Sequence, residues 1–80
     1  MPETILIVDD EKEIADLVEL YLKNENYPIR KAYDAQTALG IIETESISLA
    51  LLDIMLPDMD GFTLCQKIRE KHLFPIIMLT

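Results

Sequence analysis

The chain has a single cysteine, Cys65, so no internal disulfide can form. Its place among apolar positions of an expected helix marks it as a small buried hydrophobe rather than a reactive thiol. Met1 to Thr4 carries no basic residue and the first apolar run is short, which excludes a secretory signal at this end. No apolar run approaches the roughly 20 residues needed to cross a bilayer. Repeats, low-complexity tracts and linkers are missing too. Positive charge is scarce: 7 Lys and Arg stand against 15 Asp and Glu, for a formal net charge of −8. A surface of that sign repels phosphate backbones, so nucleic-acid contact by this stretch is not expected. It suits cations and basic partners, although solvated helix faces account for most of the charge. These absences point to a soluble, cytoplasmic protein with no membrane contact.

What is present is globular. Hydrophobic residues make up 50% of the chain and charged residues 28%, and 80 residues allow one domain at most. Thr4 to Val8 is an apolar, β-branched run of strand length that ends in Asp9-Asp10-Glu11. Helical periodicity follows at once, with Ile14, Leu17, Val18, Tyr21 and Leu22 on the expected inner face and Glu13, Asp16, Glu19 and Lys23 opposite. Pro28 to Ala32 reads as a short strand; its proline and the charges Arg30 and Lys31 suit a sheet edge. Asp34 is placed to cap a second helix, whose inner residues are Ala35, Ala38, Leu39 and Ile42 and which Gly40 weakens. Ser48 to Asp53 is a strand buried on both faces, followed by a loop marked by Pro57 and Gly61. Phe62, Leu64, Cys65 and Ile68 give the inner face of a third helix, with His72 near its end as a favourable C-terminal cation. Pro75 to Thr80 is a further buried strand.

The order βαβαβαβ predicts an α/β fold: a doubly wound parallel sheet, helices on both faces, right-handed crossovers. A strand that closes the sequence at Thr80 with nothing to cover it reads as part of a larger domain, so residues 1–80 are expected to be incomplete.

Parallel strands bring their carboxyl ends to one edge, where open α/β sheets bind ligands. Asp9 and Asp10 end the first strand, Asp53 the third and Thr80 the fourth. If the first and third strands are neighbours, about 4.8 Å apart, three carboxylates converge. Such a cluster must take up a proton or a cation, and a short set of hard oxygen ligands fits Mg²⁺. Asp9-Asp10-Glu11 also reads as a helix cap and a favourable first turn. Asp53 has no such duty, since no helix starts there. Glu11 is the weaker candidate, its side chain expected to turn into the helix start.

The runs ILIVDDE, LALLDIMLPDMDGF and PIIMLT together resemble the receiver domain of bacterial two-component response regulators, and the stretch EIADLVELYLKNENY is similar to the vancomycin-resistance regulators of the OmpR/PhoB class. The resemblance implies a flavodoxin-like sheet of strand order 2-1-3-4. It implies that Asp53 is a phosphoacceptor, and that Asp10, Asp53 and the Met55 backbone carbonyl bind Mg²⁺, with Asp9 acting partly through water. It further implies that Thr80 contacts the phosphoryl group as a switch and that Pro57 and Gly61 shape the loop. The implied partner is a sensor histidine kinase, and the parent protein would carry a DNA-binding output. The family's lysine and aromatic switch residue fall beyond Thr80. An isolated chain of this length is therefore expected to be phosphorylated poorly and to self-associate through the bare edge of its fourth strand. Two other readings compete. A haloacid-dehalogenase-like phosphohydrolase needs a second acid two residues after the nucleophile, where this chain has Met55. An interaction module that works without phosphate needs none of the acids.

Overall fold

A computed structural model describes residues 3–79; Met1, Pro2 and Thr80 lie outside the described residues. The elements run β1 (Thr4–Val8), α1 (Lys12–Lys23), β2 (Ile29–Ala32), α2 (Ala35–Thr44), β3 (Ile47–Asp53), α3 (Gly61–Arg69) and β4 (Ile76–Leu79). The strands form one parallel sheet in the order β2-β1-β3-β4. The expected alternation, strand order and doubly wound arrangement are therefore present. Among the described residues no helix is long and apolar enough to cross a membrane.

The two faces of the sheet are built from alternate residues, as the pleat requires. Leu6 and Val8 of β1 and Ala50 and Leu52 of β3 face α2 and α3, where they pack with Ala35, Ala38, Ile41, Ile42, Leu64 and Ile68. Ile5, Ile7 and Leu51 face the other way, with Ala15 of α1. This partition depends on a register shift between Thr4 and Ile5. Thr4 pairs with Ile47, but Ile5 pairs with Leu49, so one residue of β3 is passed over. A one-residue slip exchanges the faces of a strand. The shift puts like-facing residues side by side, ending with Val8 beside Leu52.

β2 starts one residue later than expected, at Ile29. Pro28 has no N–H to give, but its carbonyl accepts from the Ile5 amide at 2.9 Å, so it still extends the ladder. β2 lies at the sheet edge, and the charges it carries are used there. Lys31 Nζ donates to Asp16 at 2.7 Å and to Glu19 at 2.8 Å, tying the strand to α1 and holding the ammonium well above its usual pKa. Arg30 pairs with Glu45. Asn26 closes the turn after α1 with a φ of 64°, a left-handed conformation that asparagine tolerates.

Apolar residues of three elements lie elsewhere than expected. In α1 the residue buried outright is Ala15, with Val18 and Leu22 packed beside it, while Ile14, Leu17 and Tyr21 are 40%, 49% and 70% exposed. The apolar stripe is wider than the contact, and the Lys31 ion pairs hold the Asp16 and Glu19 flank toward β2. In α3 the buried residues are Gly61, Leu64 and Ile68, with Cys65 half-buried; Phe62, one step off that line, is 57% exposed. β4 is an edge strand and only half-buried, with Ile77 at 51% exposure. Ile77 pairs with Leu51 and so faces the α1 side. His72 lies beyond the end of α3, its amide on the Ile68 carbonyl at 2.9 Å and its ring 5.7 Å from Phe74.

Leu6 is fully buried between the sheet and α2 and α3. Leu6→Ala is expected to lower the unfolding free energy by about 2–5 kcal/mol, read as a lower urea midpoint at unchanged m-value.

Candidate functional site

β1 and β3 end together, and their terminal acids meet. Asp9, Asp10 and Asp53 each place a carboxylate oxygen within 4.8 Å of the others. Asp9 is buried, Asp53 half-buried and Asp10 exposed. Asp9 Oδ1 accepts from the Glu11 amide at 2.9 Å, which steadies the turn into α1. Asp53 Oδ1 accepts from the Met55 amide at 3.3 Å, a long contact.

The electrostatics are those of crowded like charges. Burial pushes the Asp9 carboxyl above its ordinary pKa; the Glu11 amide opposes this, and the charges of Asp53, Asp10 and Glu11 add to the rise. Among the described residues, the ion pairs of this chain lie on Arg30 and Lys31, away from the cluster. Three carboxylates that share one spot without a cationic side chain fit a hard divalent cation in number and chemistry.

Glu11 sits at the position before α1 with an extended backbone, and its side chain makes no cap. No hydrogen bond ties its side chain to the helix start. Instead it lines two open clefts, one with Asp10, Asp53, Ile54 and Met55, the other with Asp9, Ile14, Asp53 and Leu79. β4 reaches the same edge, where Leu79 pairs with Asp53. The expected switch residue, Thr80, lies outside the described residues.

The loop from β3 to α3 is closed at its base. Met55 bridges Asp60 in antiparallel fashion, and the Gly61 amide donates to the Ile54 carbonyl at 2.6 Å. Gly61 is required here by close approach and not by a left-handed backbone. A Cβ at this position would overlap the Asp53 carbonyl oxygen and lie 2.9 Å from the Ile54 Cα. Pro57 is exposed at the loop's tip. Two acids of this loop escaped the sequence reading. Asp60 caps α3, taking the Thr63 amide and hydroxyl at 2.8 Å each, and these bonds hold its carboxyl below the ordinary range. The pattern of an Asp just before a helix with Thr three residues on was a readable cap signal. Asp58 reaches across to α2, accepting from the amides of Ala35 at 2.9 Å and Gln36 at 3.0 Å, and its pKa is lowered chiefly by the Ala35 amide. No local pattern announces a contact 23 residues away. Asp34 caps the same helix as expected, through the Thr37 amide at 2.7 Å.

Comparison with known proteins places this geometry in context. Residues 5–80 match the response regulator receiver domain family. The chain is 66% identical over 80 residues to regulatory protein VanR of Enterococcus faecium and 56% identical over 80 residues to regulatory protein VanRc of Enterococcus gallinarum. Both matches cover all of this chain but only 35% of the relative, so the chain spans about a third of their length. Among solved structures, the response regulator TrrA of Thermotoga maritima, crystallised with Mg²⁺ and BeF, is 35% identical with a TM-score of 0.91, over 98% of this chain and 69% of that one.

Gly61→Ala is expected to lower the thermal midpoint and displace the Ile54–Gly61 contact, seen as loss of protection of the Gly61-position amide in hydrogen exchange. Asp60→Ala is expected to lower the thermal midpoint at neutral pH. The folded pKa of Asp60 is depressed, so its contribution is fully present above the ordinary carboxylate value of 3.8 and is lost as pH falls through the depressed one. The gap in thermal midpoint between variant and wild type should therefore narrow at acid pH, and a constant gap would refute the cap.

Proposed function

Because the chain belongs to the response regulator receiver domain family, we propose that Asp53 is its phosphoacceptor and takes the phosphoryl group from a phosphohistidine on a sensor histidine kinase. An Asp53 carboxylate oxygen attacks phosphorus, the P–N bond breaks, and its electron pair returns to the imidazole. The product is an acyl phosphate. Such transfer depends on positioning and charge neutralisation more than on covalent chemistry by the protein. The observation that carries this reading is the meeting of three carboxylates at the carboxyl edge of β1 and β3.

Asp10, Asp53 and the Met55 carbonyl would hold Mg²⁺, with Asp9 acting partly through water and Glu11 as the weaker candidate at the cleft wall. When bound, the cation offsets the negative charge that otherwise repels an incoming phosphate. Asp9 keeps the turn into α1 in place through the Glu11 amide, which holds Asp10 beside Asp53. Gly61 lets the loop fold back against the end of β3, and Pro57 stiffens its tip. Thr80 is assigned the contact to the phosphoryl group. The added charge and acceptor oxygens then bias the edge of β4.

In the full-length protein this switch controls a DNA-binding, transcriptional output, a reading supported by relatives named regulatory proteins. The protein acts in the cytoplasm, takes part in its own phosphorylation and dephosphorylation, and self-associates through its receiver; the half-exposed β4 edge supports the last point. Met55, two residues after Asp53, offers no acid to a leaving group, which disfavours a phosphohydrolase.

Incubation of the intact protein with acetyl phosphate and Mg²⁺ is expected to label Asp53, shown by intact-mass and peptide mapping. Asp53→Asn or removal of divalent cation should abolish the label. Labelling that persists in Asp53→Asn would overturn the assignment.

A further inference from the structure

The β3–α3 loop carries an attachment that neither its own geometry nor α3 requires. Asp58 lies at the loop's tip, and both its carboxylate oxygens are used on another element. Oδ1 accepts from Ala35 N and Oδ2 from Gln36 N, the first two amides of α2. Those amides are among the donors that a helix start leaves without an intrahelical partner. The helix's own cap, Asp34, serves Thr37 instead. Asp58 therefore divides the α2 terminus with Asp34 and does so from 22 and 23 residues away. At the base of the same loop, Met55 bridges Asp60 and Ile54 bonds Gly61. The loop is fixed at both ends of its length, with Leu56 and Met59 packed against the core between them.

We propose that Asp58 is a positioning residue for the site: by fastening the loop to the α2 start, it holds the Met55 backbone beside Asp10 and Asp53. This rests on the reading that the Met55 carbonyl joins those acids in holding Mg²⁺. A ligand carried by a loop contributes affinity only if the loop is already ordered, because otherwise binding must order it. Asp58 supplies that order without touching the cation, as outer partners of metal ligands do. A mere helix cap would act on stability alone. Asp34 provides the comparison, since it caps the same helix end without touching the loop.

The test compares the intact wild-type protein with Asp58→Ala, Asp58→Asn and Asp34→Ala. Mg²⁺ alone is titrated by calorimetry, amide hydrogen exchange is followed at Met55 and Gly61, and acetyl phosphate labelling is measured across Mg²⁺ concentration. Asp58→Ala is expected to weaken Mg²⁺ binding about tenfold and to speed exchange at Met55 and Gly61. Its labelling rate should recover at saturating Mg²⁺. Asp58→Asn, which keeps one acceptor oxygen, should fall between wild type and Asp58→Ala, and it reports even if the alanine variant does not fold. Asp34→Ala should lower the thermal midpoint yet bind Mg²⁺ as the wild type does. Wild-type affinity in both Asp58 variants, or equal losses in Asp34→Ala and Asp58→Ala, overturns the proposal. A wild-type protein that binds no Mg²⁺ overturns the phosphoacceptor reading itself, and this inference with it.

Discussion

The pairing of β1 with β3 sets the terms for everything else. Hydrophobic burial drives it: Leu6, Ile7, Val8 and Leu52 are fully buried, and each such side chain is worth about 1.5–3 kcal/mol on leaving water. The pairing has a cost at its carboxyl end. It brings Asp9 and Asp53 to one edge, with Asp10 beside them, every pair within reach of 4.8 Å. Like charges so close repel, most strongly where burial thins the screening water, as at Asp9. The apolar burial of the strands opposes that repulsion. The sheet forms and the acids are forced together.

The repulsion is relieved in only a few ways. Asp9 shows one of them: burial first, and the neighbouring acids after it, raise its pKa, so it takes a proton more readily than a free carboxylate. Another is partial neutralisation by backbone amides, which Glu11 and Met55 offer at 2.9 and 3.3 Å. Neither removes the charge of all three groups. A cation held there would, and because it would bind the folded arrangement and not the separated strands, its binding free energy would add to stability. A site made by forcing acids together is in this sense also a sensor of what neutralises them.

The parts of this design differ in how visible they are in the residue order. The strand-final acids are visible because a buried apolar run that stops at a carboxylate is unusual in itself, and the alternation of elements leaves few topologies open. The orientation of α1 is not visible. Its period is plain, but Ile14, Leu17 and Tyr21 belong to a stripe wider than the sheet beneath it, and the choice of Ala15 as the buried residue depends on Lys31 meeting Asp16 and Glu19 from another element. Phe62 fails for a related reason: hydrophobicity favoured it, but the line α3 buries runs through Leu64, Ile68 and Gly61, which lies close against the end of β3. Periodicity reports which faces are apolar; it does not report which apolar face wins when tertiary contacts compete.

The two helix starts that flank the loop show how the same residue type does different work by position. Asp60 caps the helix it precedes, a local bond that a cap rule finds. Asp58, two residues earlier, serves α2 instead, and in doing so links the loop after β3 to the element that follows β2. The carboxyl edge of the sheet is thereby crossed by bonds perpendicular to the chain order, from α2 through the loop to the end of β3. The strands decide that the acids meet. The bonds from the loop to α2 then fasten the backbone around them, and the carboxylate cluster at this edge depends on both.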